Sequence, residues 1–337
     1  MIDIDGSEGE GGGQVLRTSL ALSIVTGKPF RIFNIRARRK NPGLQRQHLA
    51  AVKAAREICG GGVQGAEPGS KILVFGPGPV RAGDYTFDVG SAGSASLVLQ
   101  TILPPLLLAS GTSRVSIGGG THNPMAPPFD FLARAFLPVL RLMGADAAVS
   151  VDRHGFYPAG GGRLAAQIRP WANPGRLSLT SRPQPVWWTN ALLCRLENHI
   201  GVREIGVARA ALEIPRQRAV LRRVDADCPG NVIMIYADCG THMEVFTSIG
   251  QRGVSAERVA QQVVDQALAW QQTGAPVGEH LADQLLVPMA LGAGGSFVTG
   301  PVSGHTQTNI ATIRRFVDAK IEVERLDGQR NRISVNS

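Results

Sequence analysis

EGGGQVLRTSLALSIVTGKPFRIFNIRARRKNP, residues 10–42, holds the pattern that organises the whole chain. An acidic residue and a glycine run precede Val15 to Val25, whose apolar spacing fits one face of a helix. A glycine turn follows, and Phe30 to Ile35 then alternates as a strand does. The stretch closes at Asn41-Pro42, after which Gln47 to Ile58 is helical again. The same order returns from Ser91 to Asn123-Pro124, with Val115 to Ile117 as the strand and Phe129 to Met143 as the next helix. It returns once more from Glu279 to Asn309, through Leu281 to Leu291, Ser296 to Val298 and Ile310 to Phe316. A spacing of about 30 residues between such start and end points marks repeated supersecondary units. Each unit is α+β, and none can bury its sheet alone.

The interval between the second and third copies is too long for a loop. Leu177 to Gly274 carries strand patterns of its own (Leu177 to Leu179, Ala219 to Val224, Val232 to Ala237, Met243 to Ile249) and an amphipathic helix from Ser255 to Gln272. Arg182-Pro183-Gln184-Pro185 and Gly274-Ala275-Pro276 read as its borders. The chain therefore divides into 1–176, a small inserted α/β domain over 177–274, and 275–337. Trp187 and Trp188 are expected in the core of that small domain, given how heavily aromatic side chains are buried.

Charge supplies the first functional clue. Between Gly11 and Arg56 stand ten cationic side chains and no Asp or Glu, in a protein of net charge +9 and pI near 10.0. So one-sided a run repels itself unless an anionic partner compensates, which points to nucleic acid or polyphosphate. Aromatic residues are only 5% of the chain, which argues against a broad base-stacking platform and for recognition through phosphates. Cys59, Cys194, Cys228 and Cys239 form no CxxC pair, so they read as reduced, buried thiols. Leu97 to Ala109 is the most apolar run, but Gln100, Pro104 and Pro105 interrupt it and it is too short to span a bilayer. No signal-peptide pattern precedes it, so a soluble cytoplasmic protein is expected.

Two segments carry chemistry. Asp5 to Gln14 follows a strand and precedes a helix, yet it has no P-loop Lys-Ser/Thr, and no ribose-binding acid follows Ile35. What remains is a glycine loop that is either a tight structural turn or a phosphate site, with Glu10 free to hold a divalent cation. The second segment is Gly304 to Ile310, read as a polar loop presenting His305, with Asp283 one helix upstream to orient the imidazole.

Taken together, DGSEGEGGGQVLR (5–17), IRARRKNPGLQRQHL (35–49), GSAGSASLVLQ (90–100), GGGTHNPMAPPFDF (118–131), HGFYPAGGG (154–162), VGEHLADQLLVPMA (277–290) and HTQTNIATIRRF (305–316) resemble the RNA 3′-terminal phosphate cyclases over essentially the full length. The resemblance implies an α+β fold: a large domain of three repeated βαβαββ-like units with the small α/β domain inserted between the second and third. It implies ATP-dependent conversion of an RNA 3′-phosphate to a 2′,3′-cyclic phosphodiester, with His305 as the nucleophile that carries AMP. Glu10 would bind Mg²⁺ or Mn²⁺. Arg17, Arg36, Arg39 and Gln47 would hold phosphates. Gln100, Asp283 and Gln284 would fall in the nucleotide site, with Pro127, Phe131 and His280 at the adenine. His280 is a departure, since many family members have Tyr there. Arg38 and Lys40 add charge where smaller residues are usual. The expected partners are RNA with a 3′-phosphate end and ATP, with no membrane; a homodimer is left open. A non-catalytic RNA-processing relative and an enolpyruvyl-transferase-like enzyme stand as the alternatives.

Overall fold

The computed structural model describes residues 1–336. The chain opens with β1 (Ile2–Asp5), α1 (Gly13–Thr26), β2 (Phe30–Phe33), α2 (Arg46–Cys59), β3 (Gly62–Gln64) and β4 (Leu73–Gly76). These strands form one sheet in the order β1-β2-β4-β3, the first pair parallel and the others antiparallel. Next come β5 (Asp84–Asp88), α3 (Ala95–Leu107), β6 (Ser113–Gly119), the short α4 (Phe129–Phe131) running through a π turn into α5 (Leu137–Leu142), β7 (Ala147–Arg153) and β8 (Gly162–Ile168). Their sheet has the same pairing, in the order β5-β6-β8-β7.

β9 (Leu177–Leu179) comes before a long excursion: β10 (Val186–Cys194), α6 (Asn198–Leu212), β11 (Ala219–Arg223), β12 (Gly230–Asp238), β13 (Met243–Ile249) and α7 (Ala256–Thr273). The strands of the excursion make a sheet of their own, β11-β10-β12-β13. The chain then closes with α8 (Glu279–Leu291), β14 (Gly295–Thr299), α9 (Gly304–Phe316), β15 (Lys320–Arg325) and β16 (Asn331–Asn336). Sequence patterning gave Leu177–Leu179 to the inserted segment. Its backbone instead pairs in parallel with Gly295–Phe297, in the sheet ordered β15-β16-β14-β9. The polypeptide therefore leaves this sheet after its first strand and returns at α8. A three-residue apolar run carries no sign of which sheet completes it, because pairing is decided by distant partners.

Burial explains the helices. α1 is enclosed along most of its length, and its two mid-helix serines are satisfied locally: Ser19 Oγ donates to the Val15 carbonyl and Ser23 Oγ to that of Lys28. The helix stops at Gly27, whose φ of 69° suits the left-handed cap that a residue without Cβ adopts freely. α3 starts at Ser94, whose hydroxyl accepts the Leu97 N–H. One hydrophobic core runs through the three similar sheets and their helices, from Ile4 and Phe30 to Ile333. A second, smaller core lies between the inserted sheet and helices α6 and α7. The opposite face of that sheet, through Leu192, Val232 and Met234, packs into the main core.

Three local expectations need correction. Trp187 does join the small core, edge-on to Trp270 at 6.0 Å between ring centroids, but Trp188 is 40% exposed. Successive residues of a strand face opposite sides, so the two tryptophans cannot share one environment. The segment around His305 is not a loop. α9 begins at Gly304, capped by Ser303, whose Oγ accepts the Thr306 N–H. Its His, Thr and Asn residues are weak helix formers, and Thr308 and Thr312 return their hydroxyls to carbonyls four residues back. β10 and α6, which the apolar spacing does not announce, complete the excursion between β9 and α8. All four cysteines are free and buried. Among the described residues no helix is long and apolar enough to cross a membrane.

Candidate active site

α1, α3 and α8 turn one side each into a common cleft. α1 contributes Gln14, Arg17, Thr18 and Ala21, which recur at helical spacing; α8 contributes Asp283, Gln284 and Val287, and α3 contributes Gln100 and Leu103. A chain of side-chain hydrogen bonds crosses it. Gln100 Nε2 donates to Gln284 Oε1 (2.5 Å), Gln284 Nε2 to Asp283 Oδ2 (2.9 Å) and Gln14 Nε2 to Asp283 Oδ1 (2.5 Å). Gln14 Oε1 in turn faces His305 Nδ1 at 2.9 Å.

The chemistry of these groups fixes the proton on His305. An ionised carboxylate only accepts, so Asp283 orients the NH₂ of Gln14 toward itself and leaves the amide oxygen toward the imidazole. A carbonyl oxygen cannot donate, so Nδ1 must carry the hydrogen. Nε2 then keeps its lone pair. Asp283 thus acts on His305 through Gln14, not by the direct contact expected from the sequence. Burial raises the Asp283 pKa from its ordinary value, opposed by the nearby His305 ring and by the Gln14 and Asn309 hydrogen bonds. Asn309 completes the support: its Nδ2 donates to the Asp283 carbonyl and its Oδ1 accepts from Thr18 Oγ1.

Anion-binding groups surround the mouth. Gly12 is the N-cap of α1 and offers no side-chain cap, so the first-turn N–H groups of the helix are left for another acceptor. Arg17, one turn further on, makes no hydrogen bond or ion pair among the described residues, and burial pulls its pKa down to about 10. It is still charged at neutral pH. His48 lies beside it: a Cβ at Gly13 would collide with both His48 Nε2 and Arg17 Nη1. Burial, then Arg17 and Arg36, lower the His48 pKa to about 3. Its Nδ1 accepts the Gln45 N–H at 3.1 Å, so the neutral ring presents Nε2–H toward Gly13 and Arg17.

Glu10 sits on the other side of the same loop. Its N–H reaches Thr308 Oγ1 (3.1 Å) and its carboxylate stands over Gly304, where a Cβ would strike Oε1. Arg39 Nη2 donates to the Glu10 carbonyl at 3.1 Å and lies 3.7 Å from Oε2. Gly9 packs so closely on Thr308 that a side chain there would clash, and its φ of 57° also favours glycine. Glu10 is therefore adjacent to His305 across the first turn of α9. Among the described residues no three His, Cys, Asp or Glu side chains gather as a metal cage. A single carboxylate beside a phosphate site does fit a divalent cation held mainly by substrate phosphates.

Other expected residues lie apart from this chain of bonds. Gln47 Oε1 accepts the Ser94 N–H and so holds the start of α3. Arg36, at φ 54°, spends Nη1 on the carbonyls of Asn41 (2.5 Å) and Gly43 (3.1 Å). Phe131 is buried in the main core, Pro127 is half-buried and His280 is exposed in the first turn of α8. Gln14 and His48 were not among the expected site residues. Gln14 could have been found from its i, i+3 relation to Arg17, a polar pair on an otherwise apolar helix.

Beside this cleft a second polar cluster joins the inserted domain to the rest. Asp130 takes hydrogen bonds from His122 Nε2 (3.1 Å) and from the Tyr236 hydroxyl of β12 (3.0 Å), with Arg134 Nε 3.7 Å away. His122 also stacks on His154, whose pKa falls to about 4 through burial first of all and through its nearness to His122 and Arg222.

Comparison with known proteins identifies the family. The family model described as RNA 3′-terminal phosphate cyclase matches residues 8–323. The chain is 51% identical to the RNA 3′-terminal phosphate cyclase of Ectopseudomonas mendocina, over 95% of this chain and 94% of that one. The protein of that name from Koribacter versatilis is 49% identical over 96% and 92%, and one from Pseudomonas aeruginosa is 50% identical over 100% and 98%. Among solved structures, the enolpyruvyl transferase NikO from Streptomyces tendae aligns with 99% of this chain and 48% of its own at 10% identity. Its TM-score of 0.40 carries no argument about fold or activity. By the family match and this identity over nearly the whole length, the chain belongs to the RNA 3′-terminal phosphate cyclase family.

Proposed function

We propose that this protein converts the 3′-phosphate end of an RNA to a 2′,3′-cyclic phosphodiester at the expense of ATP, with His305 Nε2 as the nucleophile. The observation that carries the reading is the Asp283–Gln14–His305 chain, which in the neutral imidazole leaves a lone pair on Nε2 beside an uncapped helix N-terminus and a half-buried Arg17 without an ion-pair partner among the described residues. In the first step Nε2 attacks the α-phosphorus of ATP; the bond from phosphorus to the bridging oxygen breaks and pyrophosphate leaves. In the second, an oxygen of the RNA 3′-phosphate attacks the same phosphorus and Nε2 is released. In the third, the vicinal 2′-hydroxyl attacks the RNA phosphorus, its proton is lost, and AMP departs as the ring closes. Proximity within the ribose supplies much of that last step.

The protein's part is positioning and neutralisation of charge. Arg17, the Nε2–H of His48 and the first-turn N–H groups of α1 hold phosphate oxygens, and Arg39 guards the loop. Mg²⁺ or Mn²⁺, held by Glu10 and the phosphates, would neutralise charge that builds on the leaving pyrophosphate. Gln100 and Gln284, linked to each other and to Asp283, fit the nucleoside end, with Pro127, Phe131 and His280 toward the base. Three βαβαββ-like units with the small domain inserted into the third, after Leu179, best account for the sheet pairings.

The test is incubation with α-labelled ATP and intact-mass analysis. Gain of one AMP, acid-labile and alkali-stable, lost in both His305→Ala and His305→Asn and discharged by 3′-phosphorylated RNA, is the expected result. An adduct that persists in either variant, or that maps to a lysine, overturns the assignment of the nucleophile.

A further inference from the structure

We propose that the open margin of the inserted sheet, built from Trp188, Arg218 and Arg222, is a landing surface for single-stranded RNA upstream of the reacting end. The proposal rests on the reading of RNA as substrate.

Trp188 is the starting point. It is 40% exposed and borders exposed Val186 (38%) and Val220 (44%), a small apolar patch on a strand margin where water would otherwise be expected to meet polar groups. Trp188 stands one residue before the β10–β11 pairing begins at Thr189, at the end of the face whose Leu192, Val232 and Met234 enter the main core.

Cations frame the ring. The Arg218 guanidinium lies 5.5 Å from the Trp188 ring centroid. Arg222 pairs in register with Leu192 and Val220 with Asn190, which puts them on the same face as Trp188 at two-residue intervals. Neither Arg218 nor Arg222 has a carboxylate partner among the described residues. Across the sheet Trp188 stands opposite Tyr236, whose ring carries the Arg134 guanidinium at 5.5 Å. Tyr236 is itself only 5% exposed and Arg134 faces Asp130, so the open surface is confined to Trp188 and the arginines of β11 and the turn before it.

An exposed indole with one guanidinium at its ring and a second further along the same face matches one ligand chemistry well. A base stacks on the ring while phosphates on either side meet the arginines, without sequence preference. A paired duplex keeps its base faces stacked inside and cannot use the indole in this way.

The experiment uses the full chain and a fluorescent, 3′-phosphorylated oligonucleotide of about twelve nucleotides, within the usual single-strand site range, followed by anisotropy without ATP. Trp188→Leu and the double change Arg218→Ala/Arg222→Ala are each expected to weaken binding about tenfold. Trp188→Phe should recover most of the loss because the stack is kept. The double variant should also flatten the slope of log affinity against log salt by about 1.4, two phosphate contacts being removed. A 3′-phosphorylated dinucleotide, too short to reach, should be bound alike by all. Self-adenylation from ATP should be unchanged in every variant, which separates failure of this proposal from failure of the functional reading. Unaltered oligonucleotide affinity, an equal loss for the dinucleotide, or displacement of the RNA by an acidic peptide at the same concentration would overturn the assignment.

Discussion

Replacing Gln14 by Leu removes the side chain that bridges Asp283 and His305 by hydrogen bonds, and the structure sets the size of the effect. The 2.5 Å bond from Gln14 Nε2 ends on a buried carboxylate, and the 2.9 Å contact to Nδ1 selects the imidazole tautomer. A hydrogen bond to a charged group contributes about 1.5–3 kcal/mol. At 1.36 kcal/mol per decade that becomes a loss of about 10- to 150-fold in the rate of self-adenylation. Asp283→Asn should lose a similar amount although it is isosteric, because an amide can face Gln14 either way and no longer dictates which end of Gln14 meets the imidazole. Gln14→Glu is the diagnostic variant. It keeps an oxygen on Nδ1–H but confronts Asp283 with a second carboxyl, and the contact returns only when the pair shares a proton. Its activity relative to the unaltered protein should therefore rise as pH is lowered. Rates come from single-turnover transfer of label from α-labelled ATP, with thermal melts run alongside to remove variants that merely unfold. Gln14→Leu with an unchanged rate, or Gln14→Glu with a flat relative pH profile, would refute the tautomer argument.

Glu10→Ala should preserve the fold and reduce self-adenylation at least tenfold, since Glu10 is the only acid between Gly9 and Arg56 and Glu8 is spent on Arg315; a metal titration indistinguishable from that of the unaltered protein would remove Glu10 from the site. Stability should fall on the alkaline side. Burial raises Glu244 to about 8, against the Gly278 hydrogen bond and Arg182, and raises Glu204 to about 7 despite the Asn231 hydrogen bond. Both fold more favourably as neutral acids, so their contribution is fully present below the ordinary value of 4.5 and is lost as pH rises through about 7 to 8. Glu204→Gln and Glu244→Gln should each lessen the decline in melting temperature between pH 5 and pH 9, read by calorimetry. His48 and His154, held to about 3 and 4 by burial first of all, act at the other end: the unfolded chain binds protons below pH 6.5 that the folded one refuses, so stability drops as pH falls toward those values. Tyr236→Phe should lower unfolding free energy by about 1–3 kcal/mol, because buried Asp130 loses a donor; denaturant melts at constant m-value check it.

The amino-acid sequence by itself determined the mixed α/β character, the cationic run that follows a glycine loop, and the blocks that mark the family. Those are local properties: apolar spacing gives helix or strand, and glycine and charge act over a few residues. Tertiary structure decided what depends on distant partners. Leu177–Leu179 found its sheet only when Gly295–Phe297 was in place. Glu10 and His305, nearly 300 residues apart, meet because Thr308 takes the Glu10 N–H and Gly304 leaves room for its carboxylate. Gln14 gained its role only when α8 and α9 were packed against α1, since neither Asp283 nor His305 lies near it in the chain. Trp188 was read as core because composition treats both tryptophans alike. The two faces of a strand do not: Trp187 turns into the core under α6 and α7, while Trp188 lies at the end of the opposite face, where it stays 40% exposed.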